Sequence, residues 1–106
     1  MKGMDSVMLD LDKYLKQSVE IKLNGEVIEI LQPTAKMTKE IGKLEKDITE
    51  ENYLEVKSKV ALMLLNNNSS NKKFTIEEVD QIPYKLQDLV IHEITNMIYE
   101  AENDPN

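Results

Sequence analysis

Residues 74–102, FTIEEVDQIPYKLQDLVIHEITNMIYEAE, form the longest helical pattern in the sequence. Thr75 and Glu78 have the spacing of a capping box, in which each side chain bonds the backbone N–H of the other residue. Phe74 and Val79 have the spacing of a hydrophobic staple, which fixes how the chain enters a helix. We therefore predict that a helix begins at about residue 75.

The apolar residues that follow recur at helical spacing as far as about residue 102. Pro83 fits the first position of a renewed helix after the opening turn, because a residue there needs no N–H donor. The apolar stripe covers about half of the helix circumference, which is more than one packed neighbour hides. A helix over about residues 75–102 should therefore be central to the fold or shared with another subunit. Its stripe consists of Val79, Ile82, Leu86, Leu89, Val90, Ile91, Ile94, Met97 and Ile98.

The sequence also predicts a β-hairpin over residues 19–31. Asn24 and Gly25, the pair favoured in a two-residue type I′ turn, separate two short segments of alternating apolar and polar residues. This turn places Ile21 opposite Ile28, so that one face of the hairpin is apolar. A lone hairpin is marginal in water, and we expect this face to pack on helices. The predicted buried side chains are Val19, Ile21, Ile28 and Ile30, and the predicted exposed ones are Glu20, Lys22 and Glu29.

Two further helices are predicted between the hairpin and residue 74. Thr34 can cap a helix over about residues 34–48, and Thr49 can cap another over about residues 50–66. The polar residues 66–71, NNNSSN, should form a loop with no means of burying itself.

These elements predict a single α+β domain over residues 18–106, dominated by helix. The hairpin should pack on about three helices, of which the last is long. Residues 1–17 should form an N-terminal arm or a short helix before the domain.

The apolar run VALMLL, residues 60–65, surrounds its predicted helix on every side, so that one packed neighbour cannot cover it. Leu62 and Leu65 lie about 180° and 120° from Tyr53, the centre of the predicted inward stripe, and should point outward. Methionine fills cores but is also over-used on adaptable binding surfaces. The candidate partner-binding residues are therefore Leu62, Met63, Leu65, Ile91, Met97 and Ile98.

Two charged residues lie within the predicted apolar stripes of the helices. They are Lys57 in the helix of residues 50–66 and Glu93 in the final helix. Such side chains either extend their charged ends to water or pair with a charge across a helix interface.

Composition excludes several classes of function. The net charge is −7 and there is no arginine, so the chain has no basic surface for nucleic acid. There is no cysteine for a disulfide or a thiolate metal site. No apolar run approaches the length of a membrane span, and aspartates interrupt the first apolar residues, unlike a signal peptide. We expect a cytosolic protein that binds neither nucleic acid nor a membrane.

The sequence contains no pattern that indicates catalysis. His92 is the only histidine, and it falls on the polar side of its predicted helix. The sequence shows no pattern of an activated nucleophile that could act with it. The pairs Glu50-Glu51 and Glu77-Glu78 lie in first helical turns, where the helix dipole favours them. With three glycines in the chain, no glycine-rich phosphate loop is present. We expect a protein that is not an enzyme and that holds no metal or cofactor.

Four segments carry a resemblance to a known family. ALMLLNNN (residues 61–68), FTIEEVDQIP (residues 74–83) and the terminal NDPN follow the opening strand-turn-strand segment IKLNGEVIEI (residues 21–30). Together they resemble tail assembly chaperones of long-tailed phages and prophages of low-GC Gram-positive bacteria, over roughly residues 18–106.

The resemblance implies a non-structural protein of the host cytoplasm that is absent from the finished virion. Such chaperones bind the long, apolar tape measure protein, keep it soluble and help recruit tail tube subunits. Their gene often also yields a longer frameshifted product. The family has no catalytic residues to assign.

Two other classes of function fit the sequence. One is a small homo-oligomeric phage structural protein, such as a connector or tail completion protein, that uses the same apolar surface to self-assemble. The other is a small acidic regulatory protein, such as a DNA mimic or an inhibitor. A DNA mimic needs paired rows of carboxylates, whereas here lysines are interleaved with them.

Overall fold

The computed structural model describes residues 7–97, which contain five helices and one antiparallel hairpin. This confirms the predicted α+β, mainly helical fold with an N-terminal hairpin. In chain order the elements are α1 (Leu11–Leu15), β1 (Ser18–Leu23), β2 (Glu26–Leu31), α2 (Ala35–Lys46), α3 (Tyr53–Leu65), α4 (Ile76–Asp80) and α5 (Tyr84–Thr95).

The hairpin has the predicted register, with Ile21 opposite Ile28. Asn24 and Gly25 have φ angles of 54° and 83°, as both central residues of a type I′ turn require. Asparagine and glycine adopt this left-handed region more readily than other residues. The turn chemistry therefore sets which residues of β1 and β2 face each other.

Burial of the hairpin differs between its two strands. Ile28 and Ile30 of β2 are buried, whereas Val19 and Ile21 of β1 are only half-buried, so their predicted burial is wrong in degree. The reason is position in the sheet, because β2 lies between β1 and the backbone of residues 67–69. The outer-face side chains are exposed as predicted, namely Glu20, Lys22 and Glu29.

The predicted long helix of residues 75–102 is two helices within the described residues. The capping box of Thr75 and Glu78 is confirmed in full, but α4 ends at Asp80. Pro83 precedes α5 as its N-cap, with a ψ of 141°, and is not its first helical residue. Proline disfavours helical backbone in the residue before it, so the chain leaves the helix at this point. The predicted continuation over residues 98–102 lies outside the described residues.

Helix α2 begins after Thr34, whose hydroxyl accepts the Met37 N–H as predicted. Helix α3 begins later than predicted, with Asn52 as its N-cap. Thr49 instead closes a turn with Asn52: the Thr49 N–H donates to Asn52 Oδ1 (2.6 Å), and the Asn52 N–H donates to Thr49 Oγ1 (3.2 Å). Thr49 therefore caps a turn and not the helix.

The central element of the fold is α3. The sequence analysis had predicted that the final helix would be central or shared with another subunit. Helix α3 contacts α2, α4 and α5, and its apolar run therefore meets neighbours on several sides. Leu65, predicted to point outward, is only 2% exposed. Tyr53, predicted as the centre of the inward stripe, is exposed. The core consists of Ile28, Ile30, Val56, Val60, Ala61, Leu64, Leu65, Phe74, Val79, Ile94 and Met97.

The asparagine-rich segment after α3 is a connection that is partly buried and held by hydrogen bonds. The prediction that residues 66–71 form a loop with no means of burying itself is therefore wrong. Asn68 is buried, and its side chain bonds the backbone of Leu65, Ser70 and Lys72. The Asn66 side chain accepts the Phe74 N–H (2.7 Å) and donates to the Phe74 carbonyl (3.2 Å). Asparagine can mimic backbone hydrogen bonding in this way, which is how a polar segment satisfies a buried backbone.

Candidate interaction surfaces

No group of three or more histidine, aspartate or glutamate side chains within residues 7–97 is placed to hold a metal. His92 is exposed on α5, in a shallow depression beside Lys85 and Asp88. None of the helices in this part of the chain is long and apolar enough to cross a membrane. Apolar side chains that the fold leaves exposed are the remaining candidate features of this part of the chain.

The predicted partner-binding residues do not form one surface. Leu65 and Met97 are buried, at 2% and 3% exposure, and these two predictions are wrong. Leu62 and Met63 are half-buried and border a shallow depression between α2 and α3. The other two residues are Ile91, half-buried in a cleft between α2, α3 and α5, and Ile98, which lies outside the described residues.

A buried glutamine that the sequence analysis missed joins three helices. The Gln87 side chain accepts a hydrogen bond from Ser58 Oγ of α3 (3.0 Å). Its amide donates to the carbonyls of Val79 and Ile82, each at 3.0 Å, where α4 ends. The Val79 carbonyl also accepts the Ile82 N–H (2.9 Å), so Gln87 gives it a second hydrogen bond beyond the end of α4.

The position of Gln87 was visible in the sequence. It lies three, four and seven residues before Val90, Ile91 and Ile94, so it belongs to the stripe that those residues form. A polar residue inside a stripe predicts a buried hydrogen-bond network. Here the network sets where α5 lies relative to α3 and α4.

The second possibility raised for Lys57, a charge pair across a helix interface, is confirmed with Asp88 of α5 as its partner. Lys57 Nζ also lies 4.9 Å from the ring centroid of Tyr84, and Tyr84 packs edge-on against Tyr53, with 6.2 Å between ring centroids. The hydrogen bond to Asp88 raises the pKa of Lys57 above its usual value, and desolvation opposes this rise. Glu93, the other charge within a predicted stripe, is exposed.

An apolar groove runs between β1 and α5, and we call it the β1–α5 groove. Val19 and Ile21 form one wall and Leu89 and Val90 the other. Leu89 is 53% exposed, although the sequence pattern placed it in the apolar stripe. Leu86, one turn earlier on α5 and 50% exposed, extends this apolar surface toward the hairpin turn. One edge of α5 is thus left uncovered by the rest of the described chain.

The rim of the β1–α5 groove is acidic. Glu93 of α5 lines it, and Glu20 borders it at the edge of β1, although the Glu20 side chain belongs to the outer face of the hairpin. No lysine lines the groove. The strand beside it is an edge strand, because within residues 7–97 β1 pairs only with β2. An apolar floor with carboxylates at the rim suits an apolar segment that carries flanking lysine or arginine side chains.

The second uncovered apolar feature is the N-terminal arm, which we define as residues 7–17. Helix α1 buries none of its residues. The sequence analysis allowed a short helix over residues 7–17, and the observed helix is five residues long. The arm as a whole has five large apolar side chains that are between 58% and 90% exposed, namely Val7, Met8, Leu9, Leu11 and Leu15. A monomer rarely leaves such a patch in water without an interaction to match it.

Comparisons of this chain with protein-family models, curated proteins and solved structures found no match. The uncovered apolar surfaces, and the chemistry they favour, are therefore the basis for assigning a function.

Proposed function

We propose that this protein is a non-enzymatic tail assembly chaperone that binds an apolar helix of a phage tape measure protein in the β1–α5 groove. It acts in the cytoplasm of the bacterial host, helps recruit tail tube subunits and does not enter the virion. The observation that carries the proposal is the apolar groove with exposed Leu86 and Leu89 and an acidic rim. The role in recruiting tail tube subunits rests on the sequence resemblance alone.

The groove suits a chaperone because it provides apolar surface on a charged body. Fully burying a leucine contributes about 1.5–3 kcal/mol, and Leu86 and Leu89 are each about half exposed. Covering both with a partner helix therefore contributes about 1.5–3 kcal/mol in total, before the half-buried Val19, Ile21 and Val90 are counted.

Charge supports the same type of partner. Glu20 and Glu93 attract lysine or arginine side chains that flank an apolar helix, and so they orient it along the groove. The net charge of −7 keeps the complex soluble while the apolar client is held.

Co-expression with the tape measure protein encoded in the same phage genome tests the proposal. The variant Leu89→Asp places a charge on the groove wall, whereas Leu54→Asp places the same charge on α3 at a similarly exposed leucine outside the groove. We expect the wild type and Leu54→Asp to keep the tape measure protein in the soluble fraction, and Leu89→Asp to leave it in the pellet. A melting temperature close to that of the wild type must accompany the loss.

Equal solubilisation by all three proteins would show that the groove is not the client site. Failure of the wild type itself to keep the tape measure protein soluble would contradict the chaperone function.

The exposed N-terminal arm favours a second candidate, a homo-oligomeric phage structural protein. Such a protein would use its apolar side chains to self-assemble and would stay in the particle. Mass spectrometry of purified virions separates the two functions, because a structural protein is present there and a chaperone is not.

A further inference from the structure

We infer that the β1–α5 groove of one copy of this chain is the docking site for the N-terminal arm of a second copy. The inference concerns the purified protein alone, in which no tape measure helix competes for the groove. It joins the two large apolar features that the described fold leaves uncovered.

In the observed conformation the arm does not fill the groove of its own copy, because its five large apolar side chains are between 58% and 90% exposed. Helix α1 ends at Leu15 and β1 begins at Ser18, so only two residues join them. The backbone N–H groups of both linking residues donate to α1 carbonyls, Lys16 to Asp12 (3.2 Å) and Gln17 to Tyr14 (3.1 Å). These bonds define how α1 joins β1. An arm that leaves the groove of its own copy unfilled is available to a neighbour.

Charge makes the arm a suitable occupant for an acidic protein. Residues 1–17 carry three lysines and three aspartates, so the whole net charge of −7 belongs to residues 18–106. The neutral arm therefore meets the acidic body without net repulsion. Lys13 and Lys16 lie next to the apolar Leu15, as basic residues must to meet Glu20 and Glu93 at the groove rim.

The area is that of a stable dimer. A large aliphatic side chain removes on the order of 100 Å² from water when it is fully buried. The arm exposes five such side chains, and a reciprocal exchange covers two arms and two grooves. The two arms contribute up to roughly 1,000 Å² and the two grooves roughly 500 Å², and a total of about 1,500 Å² lies within the range of specific protein interfaces. Because each copy gives an arm and receives one, the exchange closes as a two-fold dimer.

Single cysteines test the contact, because the chain has none of its own. Leu11→Cys marks the arm and Leu89→Cys marks the groove, and both positions are more than half exposed. Lys39→Cys, at an exposed position on α2, is the matched control. The purified variants are mixed in equal amounts and oxidised mildly. We expect the Leu11→Cys and Leu89→Cys pair to give at least tenfold more disulfide-linked heterodimer than the Leu11→Cys and Lys39→Cys pair.

Equal cross-linking in the two mixtures would overturn the inference. The double variant Leu11→Cys with Leu89→Cys provides a second test, which is carried out at low protein concentration. A product that is an internally linked monomer would overturn it too, because the arm would then lie in its own groove. A product that is a linked dimer supports it.

Charge reversal provides an independent test that leaves the core untouched. Glu20→Lys with Glu93→Lys should weaken the dimer roughly tenfold in sedimentation equilibrium, since two exposed ion pairs are lost in each half of the interface. Lys13→Glu with Lys16→Glu should weaken it similarly, and combining all four changes should restore it. Absence of restoration, or a wild type that is monomeric at every concentration tested, would overturn the inference. A wild type that dimerises but does not keep the tape measure protein soluble would contradict only the proposed function.

Discussion

At the scale of single residues, Gln87 holds the helical part of the fold together. It is 5% exposed, and its amide connects α3 with the end of α4 through three hydrogen bonds. The hydrogen bonds of a buried amide add little net stability, because water offers similar bonds in the unfolded chain. Removing the amide nevertheless lowers the free energy of unfolding, because buried partners then lose a hydrogen bond. The position of α5, and with it one wall of the β1–α5 groove, depends on this residue.

Replacing Gln87 with leucine should lower the free energy of unfolding by about 1–3 kcal/mol. The change keeps the size of the side chain but removes the acceptor of Ser58 and the side-chain donor to the carbonyls of Val79 and Ile82, of which Val79 keeps the Ile82 N–H. Urea denaturation followed by circular dichroism measures the loss, with Gln81→Leu at an exposed position as the control. A Gln87→Leu variant as stable as that control would mean that the network contributes no net stability.

At the scale of elements, the hairpin is anchored by β2. Ile28 is 1% exposed, whereas its neighbour Val27 is 57% exposed on the opposite face. The alternation of strand side chains predicts this difference directly. It also offers a matched pair of substitutions within one strand.

Ile28→Ala should lower the free energy of unfolding by about 2–5 kcal/mol, because it leaves a cavity in the core. Val27→Ala should lower it by less than about 0.5 kcal/mol, since it removes a side chain that faces water. Thermal or urea denaturation of both variants measures the difference. Similar losses at the two positions would mean that the hairpin is shifted by one residue against the helices.

The elements differ in how far the sequence predicted them. The hairpin register and the α4 capping box follow from local chemistry, namely the left-handed turn of Asn24 and Gly25 and the reciprocal bonds of Thr75 and Glu78. The outward position of Leu65 was wrong because it depended on how many neighbours α3 has. Periodicity describes one helix at a time and does not count the helices that cover it.

The same limit applied to the candidate binding surface. Leu89 lies in the apolar stripe of the sequence pattern, yet α5 is covered only along one side of that stripe. The groove therefore uses residues that had been expected to support the core. Asn68 shows the reverse case, since a polar residue expected in a loop is buried by long-range backbone contacts.

At the scale of the whole molecule, the acidic charge belongs to the body, whereas uncovered apolar surface occurs both on the N-terminal arm and on the body. The body of residues 18–106 carries the net charge of −7, and the neutral arm carries five exposed apolar side chains. The β1–α5 groove of the body combines apolar walls with an acidic rim. An acidic body with such a groove fits the chaperone function that we propose.

The most direct test of this account is a titration of isotope-labelled protein with an apolar helical peptide from the tape measure protein, flanked by lysines and followed by nuclear magnetic resonance. If the β1–α5 groove is the partner site, the largest amide shift changes will fall on Val19, Ile21, Leu89 and Val90. Largest changes at Leu62 and Met63, between α2 and α3, or no saturable change at all, would contradict it.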